Sequence, residues 1–143
     1  MRQGIALVAL WSLAAVAQAQ DAALLDGFEG ISAWKATASD SVSASLRQVD
    51  GATGKALCLD YDFNGVSGYA VARRALPIRY PGNYEFRMML RGDGPANNLE
   101  FKLADASGDN VWWRNQPNTV LPSTWSPIKL KKRQIDFAWG PIA

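Results

Sequence analysis

Histidine is absent from this chain, and cysteine occurs once, as Cys58. Without His there is no Ser-His-Asp or Cys-His catalysis and no His-ligated metal site. A lone Cys closes no internal disulfide. Glutamate is nearly as scarce, limited to Glu29, Glu85 and Glu100, so paired-carboxylate chemistry would draw mostly on Asp. An excess of one charge is also missing: 15 Lys and Arg against 13 Asp and Glu leave a net +2. That balance gives no electrostatic footprint for nucleic acid or an acidic membrane. What the 143 residues do hold is aromatic, with six Trp in a length that suits one domain.

Apolar runs are confined to the start. Arg2 is the only charge before Asp21, and Ile5–Val16 is an apolar stretch followed by Ala17-Gln18-Ala19. A basic start, an apolar segment and a small-x-small site are the three parts of a secretory signal peptide. The run is shorter than the roughly 20 residues a membrane-spanning helix needs. Residues 1–19 are therefore expected to be a signal peptide and 20–143 a single secreted or periplasmic module, with no membrane insertion after cleavage. Cys58 suits export if it is buried, where it avoids wrong pairing.

Beyond residue 19 the pattern alternates. Val42–Arg47, Leu57–Phe63, Tyr84–Met88, Leu99–Leu103 and Ile128–Lys131 each set apolar residues on one face and polar residues on the other. Period-two runs of this kind mark half-buried strands. Between them lie Asp50-Gly51, Asn64-Gly65, Pro81-Gly82-Asn83, Gly92-Asp93-Gly94-Pro95, Ser107–Asn110 and Pro122-Ser123, all turn formers. The expected fold class is all-β, a sandwich or barrel of short strands.

Two blocks carry a resemblance. Leu24-Leu25-Asp26-Gly27-Phe28-Glu29-Gly30 followed by Trp34 resembles the opening strand of galactose-binding-domain-like jelly rolls, which include many carbohydrate-binding modules and the complex I intermediate-associated proteins. The stretch Leu90–Gly94, Asn98–Leu103 and Ser107–Trp113 is similar to an N-terminal module of large exported bacterial proteins, placed before discoidin-type or glycan-processing domains. The resemblance covers residues 21–141. It implies a jelly-roll β-sandwich that binds polysaccharide or oligosaccharide without catalysis, targets an attached glycan-processing enzyme and often holds one structural calcium. Such jelly rolls continue past the position of Phe137–Pro141, the last strand carrying an acid. The likeness therefore implies a module lacking its last strands, with an open sheet edge able to self-associate.

Candidate residues follow from strand geometry. Asn110, Trp112 and Arg114 share one face of a strand, and Val111, Trp113 and Asn115 the other. Apolar Val111 suggests that its set points inward, leaving Trp112 as the exposed ring on which a sugar would stack. Asp60, Asp62, Glu85, Arg87, Glu100 and Lys102 lie opposite their strands' apolar sets. If those strands are adjacent, they form a polar face suited to sugar hydroxyls. The resemblance places calcium near the first strand, making Asp26 and Glu29 its candidate ligands, although the ion needs about 6–8 oxygens. Lys129, Lys131, Lys132 and Arg133 read as protection for an edge strand. Two other functions stay open. One is a protein-interaction jelly roll without glycan affinity; the other is a small glycosidase using Asp60 or Asp62 with Glu100. The family likeness, with several Trp able to be exposed in a near-neutral chain, implies a neutral polysaccharide bound weakly and without turnover.

Overall fold

The computed structural model describes residues 22–142. The expected signal peptide at 1–19 lies outside the described residues. The described chain is all-β: β1 (Lys35–Ala38), β2 (Ser43–Asp50), β3 (Lys55–Asp62), β4 (Ala70–Arg73), β5 (Glu85–Leu90), β6 (Asn97–Ala104), β7 (Val111–Thr119), β8 (Ser126–Lys131) and β9 (Asp136–Trp139). A single 3-10 turn, Lys132–Gln134, follows β8. Every pairing is antiparallel: β1 with β4, β2 with β3, β5 with β8, and β7 between β6 and β9. Among the described residues no helix is long and apolar enough to cross a membrane.

All five alternating runs of the sequence fall on strands. In β3, Leu57, Leu59 and Tyr61 share a face, and the register sets Gln48, Leu46 and Ala44 of β2 opposite them. The β2–β3 hairpin closes where Gly51 N donates to Gly54 O at 2.9 Å, with Gly54 at φ 63°. The β6–β7 hairpin turns on Asp105. Its carboxylate accepts from Ser107 Oγ (2.7 Å), Gly108 N (3.0 Å) and Asn110 Nδ2 (2.6 Å). Three four-residue strands, β1, β4 and β9, carried no alternation long enough to read. Phe137–Trp139 of β9 is paired with β7.

The opening strand expected around Leu24–Gly30 does not form; the segment is irregular, with Phe28 at φ 56°. Asp26 explains why. Its Oδ1 accepts from Phe28 N at 2.7 Å, a tight turn that a strand cannot contain. Its Oδ2 accepts from Trp34 Nε1 at 2.7 Å and from Arg74 Nη1, just beyond β4. Gln48 Nε2 then donates to Phe28 O at 2.6 Å, pinning the segment to β2.

The C-terminal sheets pack against each other. Phe86 of β5 meets Phe101 of β6 with centroids 5.0 Å apart, and Arg114 of β7 donates to Lys129 O of β8 at 3.2 Å. Leu130, opposite Phe86, is 3% exposed. Closure is nevertheless partial. Among the described hydrophobic residues only Ala56, Val111 and Leu130 are fully enclosed, while Tyr80, Phe137 and Trp139 stay 40–53% open alongside Tyr69. A concavity is left beside Trp112.

Candidate functional site

Cross-strand register decides which way each Trp faces. In an antiparallel pair, directly opposed residues project from the same side of the sheet. Trp112 stands opposite Leu103, and Arg114 opposite Phe101, so both lie on the apolar face of β6. Trp113 stands opposite Lys102, and Asn115 opposite Glu100, on the polar face. The expected orientation is thus reversed. Val111 misled because its burial, to 6% exposure, arises on the polar side, where it stands opposite Ala104 and Trp139. Both Trp residues are half-buried.

Trp112 keeps an open ring because the sandwich does not close over it. It lines a cleft of about 620 Å³ with Leu103, Ala104 and Asp105 of the β6–β7 hairpin. Tyr80, Asn83 and Tyr84 form the facing wall, joined by Lys132, Arg133 and Ile135. Local chemistry fixes each part. Phe137 props Trp112 edge-on at 5.7 Å. Tyr80 and Tyr84 lie across the Pro81-Gly82-Asn83 turn with ring centroids 4.9 Å apart. Burial and the neighbouring Tyr84 push the Tyr80 hydroxyl above its ordinary pKa, so it remains a neutral donor and acceptor.

The 3-10 turn is tied to that wall. Lys132 N donates to Tyr84 O at 3.0 Å, and its ammonium donates to Gly82 O at 2.8 Å. The same ammonium lies 5.9 Å from the centre of the Tyr84 ring. Gln134 caps the turn by accepting from Lys131 N at 3.0 Å. Across the cleft, hydrogen bonds from Ser107 and Asn110 draw the Asp105 pKa down to about 2, so Asp105 is an anion at any ordinary pH.

The remaining candidates do not gather in the cleft. Asn110 is 3% exposed and structural: Nδ2 serves Asp105 and Oδ1 accepts from Ile142 N at 2.9 Å. Glu100 and Lys102 pair with each other at 2.7 Å on the opposite face of the sheet. There Lys102 Nζ lies 5.4 Å from the Trp113 ring centre and 5.2 Å from that of Trp139. Asp60 is held by Arg47 through bonds of 2.6 and 3.1 Å, and Asp62 accepts from Asn64 N at 2.7 Å. Both border a shallow hollow of about 280 Å³ on the β2–β3 hairpin. Arg87 pairs with Glu85 on β5. The continuous polar face envisaged from these six residues is not built, because β3, β5 and β6 are not hydrogen-bonded neighbours.

Asp26 is a poor fit for calcium as placed. A backbone N–H, an indole N–H and a guanidinium occupy its oxygens, and an ion would have to displace them and sit beside a positive charge. Among the described residues no group of three or more His, Cys, Asp and Glu side chains is arranged to hold a metal. Cys58 is equally quiet: burial and the adjacent Asp60 raise its pKa, disfavouring thiolate.

Sequence reasoning missed Tyr80, Asn83, Tyr84, Lys132 and Arg133. The visible signal was two Tyr flanking a Pro-Gly-Asn turn and a basic pair just past a strand; their meeting is tertiary.

The fold is all-β, consistent with a sandwich, and carries an aromatic cleft with a polar rim. No family model, curated protein or solved structure matches this chain.

Proposed function

We propose that this protein is an exported, non-catalytic carbohydrate-binding module, and that the cleft beside Trp112 is where a sugar chain lies. One observation carries this reading: Trp112, Tyr80 and Tyr84 line an open groove whose rim supplies Asn83, Asp105, Lys132 and Arg133. Sugars present apolar C–H faces that stack on flat rings and hydroxyls that need polar partners at the rim. Concave sites with aromatic walls and a few convergent polar groups are the usual form of a small-ligand site. Binding without turnover is favoured by the acid inventory. Hydrolysis asks for two carboxyl groups across the scissile bond, one of them protonated. Among the described residues Asp105 is the only carboxylate lining the cleft, and its low pKa unfits it as a proton donor. In a longer exported protein such a module would hold a glycan-processing domain on its polysaccharide.

The test is a glycan array with the purified protein, followed by titration calorimetry on the hits. The expected result is binding in the micromolar to millimolar range that Trp112→Ala and Tyr84→Ala both abolish, with no reducing sugar released. An array without hits, or hits unchanged in both variants, would overturn the site. Released reducing ends that persist across independent preparations would overturn the non-catalytic part.

A further inference from the structure

The basic run near the end of the chain has more than one role. Lys129 and Lys131 remain on β8, opposite Arg87 and Glu85. Lys132 and Arg133 leave the strand, enter the 3-10 turn and line the cleft. The turn is set firmly, through Lys132 N on Tyr84 O and Gln134 on Lys131 N, so both cations are delivered to the aromatic wall by the backbone.

The charges in the cleft do not cancel. Asp105 keeps its negative charge, bonded to the neutral donors Ser107, Gly108 and Asn110 of its own turn, so the cleft sets two cations against one anion. Arg133 makes no ion pair among the described residues. Lys132 is bonded to a carbonyl, which leaves its charge uncompensated. Lys132 and Arg133 are both exposed at the rim, so their attraction for an anion is one that salt weakens. A guanidinium also offers paired N–H donors that match a carboxylate.

Resting on the carbohydrate reading above, we infer that the cleft selects an acidic polysaccharide, one whose rings carry carboxylates: the ring stacks on Trp112 and Tyr84 while its carboxylate meets Arg133 and Lys132. The near-neutral net charge conceals this preference because the cations are local to the groove.

The experiment is calorimetry with uronate oligomers, the same oligomers methyl-esterified, and a sulfated glucan, each at low and high salt. The uronate should bind about tenfold or more tightly than its ester at about 0.1 M salt, and the gap should shrink at about 1 M. Arg133→Gln should close the gap, lowering affinity for the uronate far more than for the ester. Equal affinity for acid and ester overturns the acidic preference and leaves the carbohydrate reading intact. Tighter binding of the sulfated glucan than of the uronate overturns the carboxylate assignment. Uronate binding that survives Trp112→Ala shows diffuse charge attraction and overturns the site itself.

Discussion

Trp112 of β7 stands opposite Leu103 of β6 and leans on Phe137, whereas Trp113, one residue on, stands opposite Lys102 and against Trp139. Both are half-buried and each makes an edge-to-face aromatic pair, so neither exposure nor packing partner distinguishes them. What separates them is the far side of the groove. Trp112 faces a second wall, formed by Tyr80, Tyr84 and the 3-10 turn, while Trp113 is overlain by Lys102. A ring becomes a binding surface when something stands opposite it at a ligand's width.

The largest expected effect in that comparison is therefore on binding. Trp112→Ala should remove glycan affinity, with about tenfold or greater loss in calorimetry, while Trp113→Ala leaves it within twofold of the parent. Trp113→Ala should instead lower stability by about 2 kcal/mol, from lost burial and the Trp139 pair. Thermal melts beside the titrations check both halves. Loss of affinity in Trp113→Ala alone would move the site to the outer face.

Asp26 sharpens the contrast from outside the groove. Its side chain is 10% exposed and joined to Arg74, so Asp26→Ala strands a half-buried guanidinium. The expected cost is about 3 kcal/mol, with glycan affinity unchanged. Burial opposes the Asp26 charge, but bonds from Phe28, Trp34 and Arg74 outweigh it and hold the carboxyl below its ordinary value of 3.8. A depressed folded pKa makes this contribution complete above the unfolded value and erodes it as pH falls through the folded one. The melting curves of parent and Asp26→Ala should differ most at neutral pH, and the difference should narrow as the pH falls through the depressed folded value.

Asn110 tests how the groove is held open. It bridges the Asp105 turn to Ile142, and Gly140 approaches so closely that a Cβ there would stand 2.4 Å from Asn110 Oδ1. Asn110→Ala leaves Asp105 and Ile142 N short of a partner, at a cost of about 1–3 kcal/mol. Because Asp105 lines the cleft, a smaller loss of affinity than in Trp112→Ala should accompany the lower melting point.

These residues also show what a linear reading reaches. Five of the six strands longer than four residues, all but β7, were legible because apolar and polar residues alternate along them; Leu57, Leu59 and Tyr61 announce β3 without reference to any neighbour. The four-residue strands offer at most two residues per face, too few to form a pattern. The facing of Trp112 was hidden for a different reason. It depends on the partner strand, and Val111 looked like a core residue while being covered by β9. The cleft was least legible. Tyr80, Tyr84, Lys132 and Arg133 lie on loops and a 3-10 turn without periodicity, and hydrogen bonds such as Lys132 Nζ to Gly82 O unite stretches far apart in the chain.

The smallest expected effect belongs to Lys102, and it probes whether the outer face is as inert as the comparison requires. Lys102 pairs with Glu100 at 2.7 Å and lies over both Trp113 and Trp139. A partly exposed ion pair contributes about 0–1 kcal/mol, and a cation over an accessible ring about 0.5–1 kcal/mol. Lys102→Gln keeps most of the aliphatic cover and removes the charge, so stability should fall by no more than about 1 kcal/mol. Tryptophan fluorescence should shift as the two rings lose their ammonium. Glycan affinity should stay within twofold, since the cleft opens on the other side of the sheet. A larger drop would mean that sugar reaches across to Trp139, 46% exposed, and that the two faces of β7 share the ligand.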